Sequence, residues 1–337
     1  MKNSWKGVKV LITGVNGFVG GNLAKMLVNN GADVFGLIRS RSFKSLLHYE
    51  NIYKNITLID GELCDFNLFN RVIVEEKINV IFHLAAQVEV GVGLMNPYVT
   101  FESNIRGTYT LLESARQNPD SVKAIIVASS DKAYGAYPKE EMPYKEDYHL
   151  KPEYPYDTSK ACADMIAKSY SSSPLNLPIV ITRFSNIYGP GQLNFSALIP
   201  DAIQSALGYS KFTPRGNGSM MRDFLFIDDV VDLYIRIAES LSTDKENISS
   251  QIFNAGTNKP KTVKYILEKI FTLTDASDAF LRILQEMKNK ATVGEIDCQY
   301  MDYQKVEDYF GWAPQHSLED GISKTIEWYK RYLQRKI

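Results

Sequence analysis

Cysteine is scarce in this chain: Cys64, Cys162 and Cys298 are the only three in 337 residues. They are odd in number and far apart, so neither a disulfide framework nor a thiolate metal cluster can be assembled from them. Each is expected to be a small buried hydrophobe, and no metal site is expected. Net charge is lacking too, with 38 basic residues against 39 acidic ones. That balance removes the broad electrostatic footprint of a nucleic-acid binder, so no nucleic-acid partner is expected. Long apolar runs are also missing. None reaches the ~20 residues that span a bilayer, and the run in "MKNSWKGVKVLITG" is too short for a secretory leader. No membrane partner is expected, and a cytoplasmic location is.

What the chain does contain is alternation. "VKVLITG", "DVFGLIR", "ITLIDG", "INVIFHLAA", "AIIVASS" and "IVITRF" are short apolar runs, with helix-period segments between most of them. Near-continuous apolar strands joined by helical crossovers predict a parallel sheet covered on both faces. The expected fold is α/β, a Rossmann-like doubly wound parallel sheet with a smaller C-terminal substrate lobe. Residues 1–188 are expected to form the dinucleotide-binding domain. Residues 189–337 are expected to form the lobe, with some segments returning to the first domain. The later stretch is too interrupted for a separate sheet of any size. Its "RDFLFIDDVVDLYIRIAESL" reads as a strand running into a helix, and Ser317 as the cap of a closing helix.

"TGVNGFVG" places Gly14, Gly17 and Gly20 between the first strand and the first helix. Glycines there allow a tight turn and let backbone N–H groups approach a pyrophosphate, with Asn16, Phe18 and Val19 beside it. The G-x-x-G-x-x-G spacing resembles the short-chain dehydrogenase/reductase superfamily. At the end of the second strand, "GLIRSRS" offers Arg39 and Arg41 and no acid. A guanidinium fork suits a 2′-phosphate, so NADP is favoured over NAD, the alternative being two solvated loop arginines.

"YPYDTSKACADM" holds Tyr156 and Lys160 one helical turn apart, able to face the same side. A phenol with a pKa of ~10 is a weak base at neutral pH. A nearby ammonium and an oxidised nicotinamide would favour its phenolate.

Together "TGVNGFVG", "HLAAQ", "SNIRGTYTLLESAR", "ASSDKAYG", "YDTSK", "RFSNIYGP" and "RDFLFIDDV" resemble the extended branch of that superfamily, the nucleotide-sugar epimerases and dehydratases. The resemblance covers almost the whole chain. It implies a nucleotide-diphosphate sugar substrate, a tightly bound and recycled NAD(P), and a homodimer formed through a helix bundle. It implies Ser130 as the hydroxyl that binds the reacting sugar, Tyr156 as base and Lys160 as its partner on the cofactor ribose. It places Glu62 and Leu63 beside the adenine, and Leu84, Ala85, Ala86 and Gln87 along the cofactor. Asn104 would hold the local backbone, and Asn186 and Arg222 the substrate diphosphate. For Arg222 the alternative is a surface ion pair with Asp223.

The pair Asp131-Lys132 gives the resemblance its detail. Simple epimerases carry small or uncharged residues after the catalytic serine or threonine, whereas 4,6-dehydratases place an aspartate there. Asp131 would be the acid that protonates the departing C6 hydroxyl, given a raised pKa. Many dehydratases follow it with a glutamate as C5 base, but this chain has Lys132, as in the CDP-glucose 4,6-dehydratases. Lys132 either takes the C5 proton or stays charged and stabilises the enolate. The expected activity is a nucleotide-sugar 4,6-dehydratase. A C4 epimerase is the runner-up, followed by a 4-keto sugar reductase and a non-catalytic cofactor-binding protein. In "QVEVGVGLMNP", Glu89 is the one carboxylate, either a substrate contact or a solvated loop acid.

Overall fold

The computed structural model describes residues 4–41, 44–288, 290 and 296–335. Ser42 and Phe43 of the arginine loop lie outside the described residues. In chain order the strands are β1 (Lys9–Thr13), β2 (Asp33–Ile38), β3 (Thr57–Asp60), β4 (Val80–His83), β5 (Ala124–Ala128) and β6 (Ile179–Phe184). They are followed by β7 (Asn186–Tyr188), β8 (Met221–Arg222), β9 (Phe224–Phe226), β10 (Ile252–Ala255), β11 (Lys261–Thr262) and β12 (Cys298–Gln299). Seven of them form one sheet in the order β10-β6-β5-β4-β1-β2-β3. Every pairing in it is parallel.

Why these runs stay in a sheet follows from their two-sided burial. Val10, Ile12, Val80, Phe82, Ala124 and Ile126 enter one apolar core, while Leu11, Ile81, Ile125 and Val127 enter the other. Alternate residues of a strand point to opposite faces, so an apolar run of period one fills both cores at once. Helices Phe18–Asn29 and Ile227–Thr243 cover the first face; Phe66–Glu75, Gly107–Arg116 and Pro155–Ser171 line the second.

Two findings refine the sequence expectation for residues 189–337. The expected absence of a further sheet fails in a small way: β8 pairs with β11 and β12 in a three-stranded sheet, and β7 with β9 in a two-stranded one. Strands of two or three residues leave no readable period, so apart from the strand read in "RDFLF" these pairings carried no signal in the sequence. In addition, β10 joins the edge of the main sheet beside β6. The closing helix Leu318–Gln334 begins at Ser317, whose hydroxyl accepts from the Asp320 N–H at 3.1 Å.

No helix among the described residues is long and apolar enough to cross a membrane.

Candidate active site

The strand order reverses between β1 and β4, and that reversal opens a crevice at the carboxyl ends of the sheet. The loop after β1 is pressed against the segment after β4. Gly14 has φ +76°, and a Cβ there would lie 2.9 Å from the Ala85 backbone. A Cβ on Gly20 would overlap the Gly14 carbonyl. Gly17 caps the Phe18–Asn29 helix without a side-chain bond, and no acid stands in its first turn. The first N–H groups of that helix, with their partial positive charge, therefore suit a pyrophosphate. Asn16 ties the glycine loop to the end of β2 through a bond to the Ser40 carbonyl at 3.3 Å.

A polar chain behind the crevice links this loop to the catalytic helix. The Ala85 N–H donates to Thr13 Oγ1 at 3.1 Å, and Thr13 Oγ1 lies 2.9 Å from His83 Nδ1. His83 Nε2 lies 3.0 Å from Thr108 Oγ1, which donates to the Asn104 carbonyl at 2.6 Å. Thr108 has one hydroxyl hydrogen and gives it to Asn104, so Nε2 must carry the imidazole proton and Nδ1 must accept from Thr13. The Asn104 side chain accepts from the Gln87 N–H at 2.7 Å and donates to the Gln87 carbonyl at 3.0 Å and to Ser159 Oγ at 2.8 Å. Ser159 in turn bonds the Tyr156 carbonyl at 2.7 Å. Asn104 thus ties the Gln87 backbone to Ser159, and His83, Thr13 and Ser159 carried no sequence signal.

Burial holds His83 neutral, its pKa pushed down to about 3, with the Lys160 charge acting in the same direction. The unfolded chain therefore binds one more proton than the folded one between about pH 3 and the ordinary value of 6.5. This group removes stability as pH falls through that window. The expected result is that His83→Asn loses less stability than the wild type between neutral pH and about pH 4.5, read by urea unfolding at both.

The chemistry-bearing residues meet in one cavity of about 540 Å3. Phe18, Val19, Leu84 and Ala86 line it together with Ser130, Asp131, Lys132, Tyr156, Lys160, Asn186 and Arg222, and the Arg222 charge is felt by Asp131. Tyr156 and Lys160 stand in the first turns of the helix Pro155–Ser171, which opens with Pro155. Ser130 caps the turn Asp131–Tyr134, accepting from the Lys132 N–H at 3.2 Å and donating to Asp131 Oδ1 at 3.0 Å.

Asp131 is no solvated turn acid. It is buried, and burial pushes its carboxyl up against the opposing pull of Lys132, Ser130 and Arg222. Its Oδ2 is buried without a partner, as is the Ser185 hydroxyl at the end of β6. An unpartnered carboxyl oxygen beside a cavity has the free acceptor and donor capacity that a proton donor needs. Asp157, next to Tyr156 and unmarked in the sequence reading, is also buried and pushed up to about 6, with Lys132 pulling it down.

The expected electrostatic pairing of Tyr156 with Lys160 is not what the protein alone provides. The Lys160 ammonium donates to the Ala128 carbonyl at 2.8 Å. Burial lowers Lys160 to about 8 and drives the Tyr156 phenol above its ordinary range, with Ser130 favouring the phenolate. Burial, with the nearby Asp131 and Asp157 charges acting in the same direction, outweighs the bond from Ser130. A positive charge delivered into the cavity by an oxidised nicotinamide would act in the missing direction.

Arg222 is buried, its Nη1 donating to the Met221 carbonyl at 2.9 Å. Asp223 is occupied elsewhere, by the Thr257 hydroxyl and by the Thr257 and Asn258 N–H groups at 2.8 and 3.3 Å. The surface ion pair is therefore not formed. Arg39 and Arg41 are exposed, and Arg41 lies 3.8 Å from Asp60, an acid that β3 brings alongside the end of β2. Glu62 and Glu89 are exposed, Leu63 is buried. Of the cysteines only Cys298 is buried; Cys64 and Cys162 are half-buried because their helix-end and helix positions face partly outward.

Residues 11–325 match the family model for GDP-mannose 4,6 dehydratase. The chain belongs to this family. Human dTDP-D-glucose 4,6-dehydratase is 29% identical over 330 residues, covering 96% of this chain and 90% of the relative. Among solved structures, dTDP-glucose 4,6-dehydratase of Bacillus anthracis in complex with NAD superimposes with a TM-score of 0.80 at 27% identity, covering 97% of this chain and 98% of that one. UDP-glucose 4-epimerase of Thermotoga maritima with UDP-glucose gives 0.83 at 25% identity, covering 97% and 100%. Dehydratases and epimerases of the family thus share this architecture. Backbone likeness does not separate the two chemistries, and the side chains of the cavity have to.

Proposed function

We propose that the chain is a nucleotide-sugar 4,6-dehydratase, converting a nucleoside-diphosphate hexose to its 4-keto-6-deoxy form. The observation that carries it is Asp131: a buried carboxyl whose burial pushes its pKa up, with one oxygen unpartnered beside Ser130 and Tyr156. An epimerase has no leaving group to protonate and no use for this acid.

A nicotinamide dinucleotide held by the glycine loop and Lys160 would supply the hydride chemistry between C4 and C6 that side chains cannot. Tyr156 takes the C4 hydroxyl proton, with Ser130 orienting that hydroxyl and Lys160 holding the ribose side. With C4 a ketone, the C5 proton becomes acidic; Lys132 is the group placed to receive it or to stabilise the enolate. Asp131 gives its proton to the C6 oxygen, which leaves as water. Arg222 neutralises the diphosphate and Asn186 hydrogen-bonds it, and Arg39 and Arg41 favour NADP. The Arg41–Asp60 pair joins two exposed groups, a weak contact that a 2′-phosphate can displace.

In this reading residues 1–188 bind the cofactor and 189–337 the sugar nucleotide, apart from β10 and the Ile227–Thr243 helix, which return to the main sheet. A homodimer is supported by Met95 and Tyr98, 81% and 71% exposed on two short helices beside the catalytic one, and by Met165, 65% exposed on the catalytic helix itself. The test is incubation of the purified protein with CDP-glucose, dTDP-glucose, UDP-glucose and GDP-mannose, without added reductant. The expected product is lighter than its substrate by one water and absorbs in alkali as a 4-ketone. Formation of a C4 epimer alone would overturn the dehydratase reading.

A further inference from the structure

Among the described residues Lys132 forms no ion pair with an acid. Its Nζ donates to Gln299 Oε1 at 2.7 Å, across 167 residues of sequence. Gln299 is fully buried on β12, where an apolar residue would serve packing better. Its orientation is not arbitrary: an ammonium can only donate, so the amide oxygen must face it. The buried amide nitrogen is turned instead toward the phenol of the buried Tyr144, with no regular hydrogen bond to spare. On β8 the register partner of Gln299 is Arg222, which lines the cavity. The strand pair therefore ties the proposed diphosphate contact to the proposed C5 group.

We infer that Gln299 is a positioning residue for Lys132, holding the ammonium over the reacting sugar with a neutral acceptor and linking it to the Arg222 strand. The inference rests on the dehydratase reading. A carboxylate at this place would pin the lysine as a permanent ion pair. An apolar side chain would release it toward Asp131 and Asp157, whose carboxyls both feel its charge. The amide fixes its place without neutralising it. The ionisable groups around this site are Asp131 on the same turn, Tyr156, Asp157 and Lys160 on the catalytic helix, Arg222 on β8 and the buried Tyr144.

Two measurements test it, one free of any substrate. Competitive acylation of the folded protein, read by mass spectrometry of the Lys132 peptide across pH, reports how reactive and accessible the lysine is. Gln299→Glu is expected to slow its labelling severalfold by pairing the ammonium, and Gln299→Met to change the labelling rate severalfold by releasing it. Identical Lys132 profiles in wild type and both variants overturn the inference. In single turnover with whichever sugar of the panel the wild type dehydrates, Gln299→Met is expected to form reduced cofactor at the wild-type rate. Exchange of the C5 hydrogen with solvent deuterium should slow by about 10-fold. Equal loss of both steps, or of neither, would mark Gln299 as structural. If the wild type dehydrates nothing in the panel, the functional reading fails and the labelling profiles alone decide Gln299.

Discussion

Tyr156→Phe is expected to lower turnover by about 10³–10⁴-fold while leaving cofactor content and thermal stability close to wild type. The phenol oxygen is the only part removed. The ring keeps its place, because the helix that carries it is fixed by Pro155, by Ser159 on the Tyr156 carbonyl and by Asn104 on Ser159. Substrate binding should survive, since Asn186 and Arg222 line the cavity whether or not the phenol oxygen is there. What disappears is the acceptor for the C4 hydroxyl proton, so no reduced cofactor should appear after mixing with sugar nucleotide. A stopped-flow trace of nicotinamide absorbance decides it. Reduced cofactor forming at the wild-type rate would take Tyr156 out of the oxidation step. The pH profile carries a second check: burial holds the phenol of the protein alone above its ordinary range. Oxidation should therefore quicken as pH rises toward that range, and the variant should lose this dependence.

Much of this was legible in the residue order, for reasons that differ from part to part. The sheet was legible because a strand buried on both faces must be apolar at every position, and few other elements of that length are. The glycine loop was legible because close backbone approach excludes every side chain, as the Gly14–Ala85 contact illustrates. Tyr156 and Lys160 share a helix, so their spacing alone put them on one face. Contacts that join distant segments left no such trace. Gln299 meets Lys132 only because a two-residue strand lays the late chain beside the early one, and Asp60 reaches Arg41 only through sheet register. His83 reads as one more residue in an apolar run, yet it joins two elements through two threonines. Nor does residue order convey how dry a site is. The ammonium next to Tyr156 pointed toward an acidified phenol, but burial reverses the sign in the protein alone.

Asp131→Asn is expected to slow dehydration by about 10²–10³-fold while reduced cofactor still accumulates on the enzyme. Asparagine keeps the size and can still accept from Ser130, but it has no acidic proton for the C6 oxygen. Oxidation at C4 should proceed and elimination stall, the reverse of the Tyr156→Phe result. The same substitution makes an opposite prediction for stability. Burial raises the Asp131 pKa, so the folded chain holds a proton that the unfolded chain releases at lower pH. Above the unfolded value this group removes stability, more so as pH rises through the folded one. A neutral amide has no such cost, and Asp131→Asn should melt at or above the wild-type temperature at neutral pH. A residue kept for structure would lose stability with its carboxyl; one kept for chemistry gives up turnover and gains stability. Lower melting temperature together with unchanged turnover would contradict the role of Asp131 on both counts.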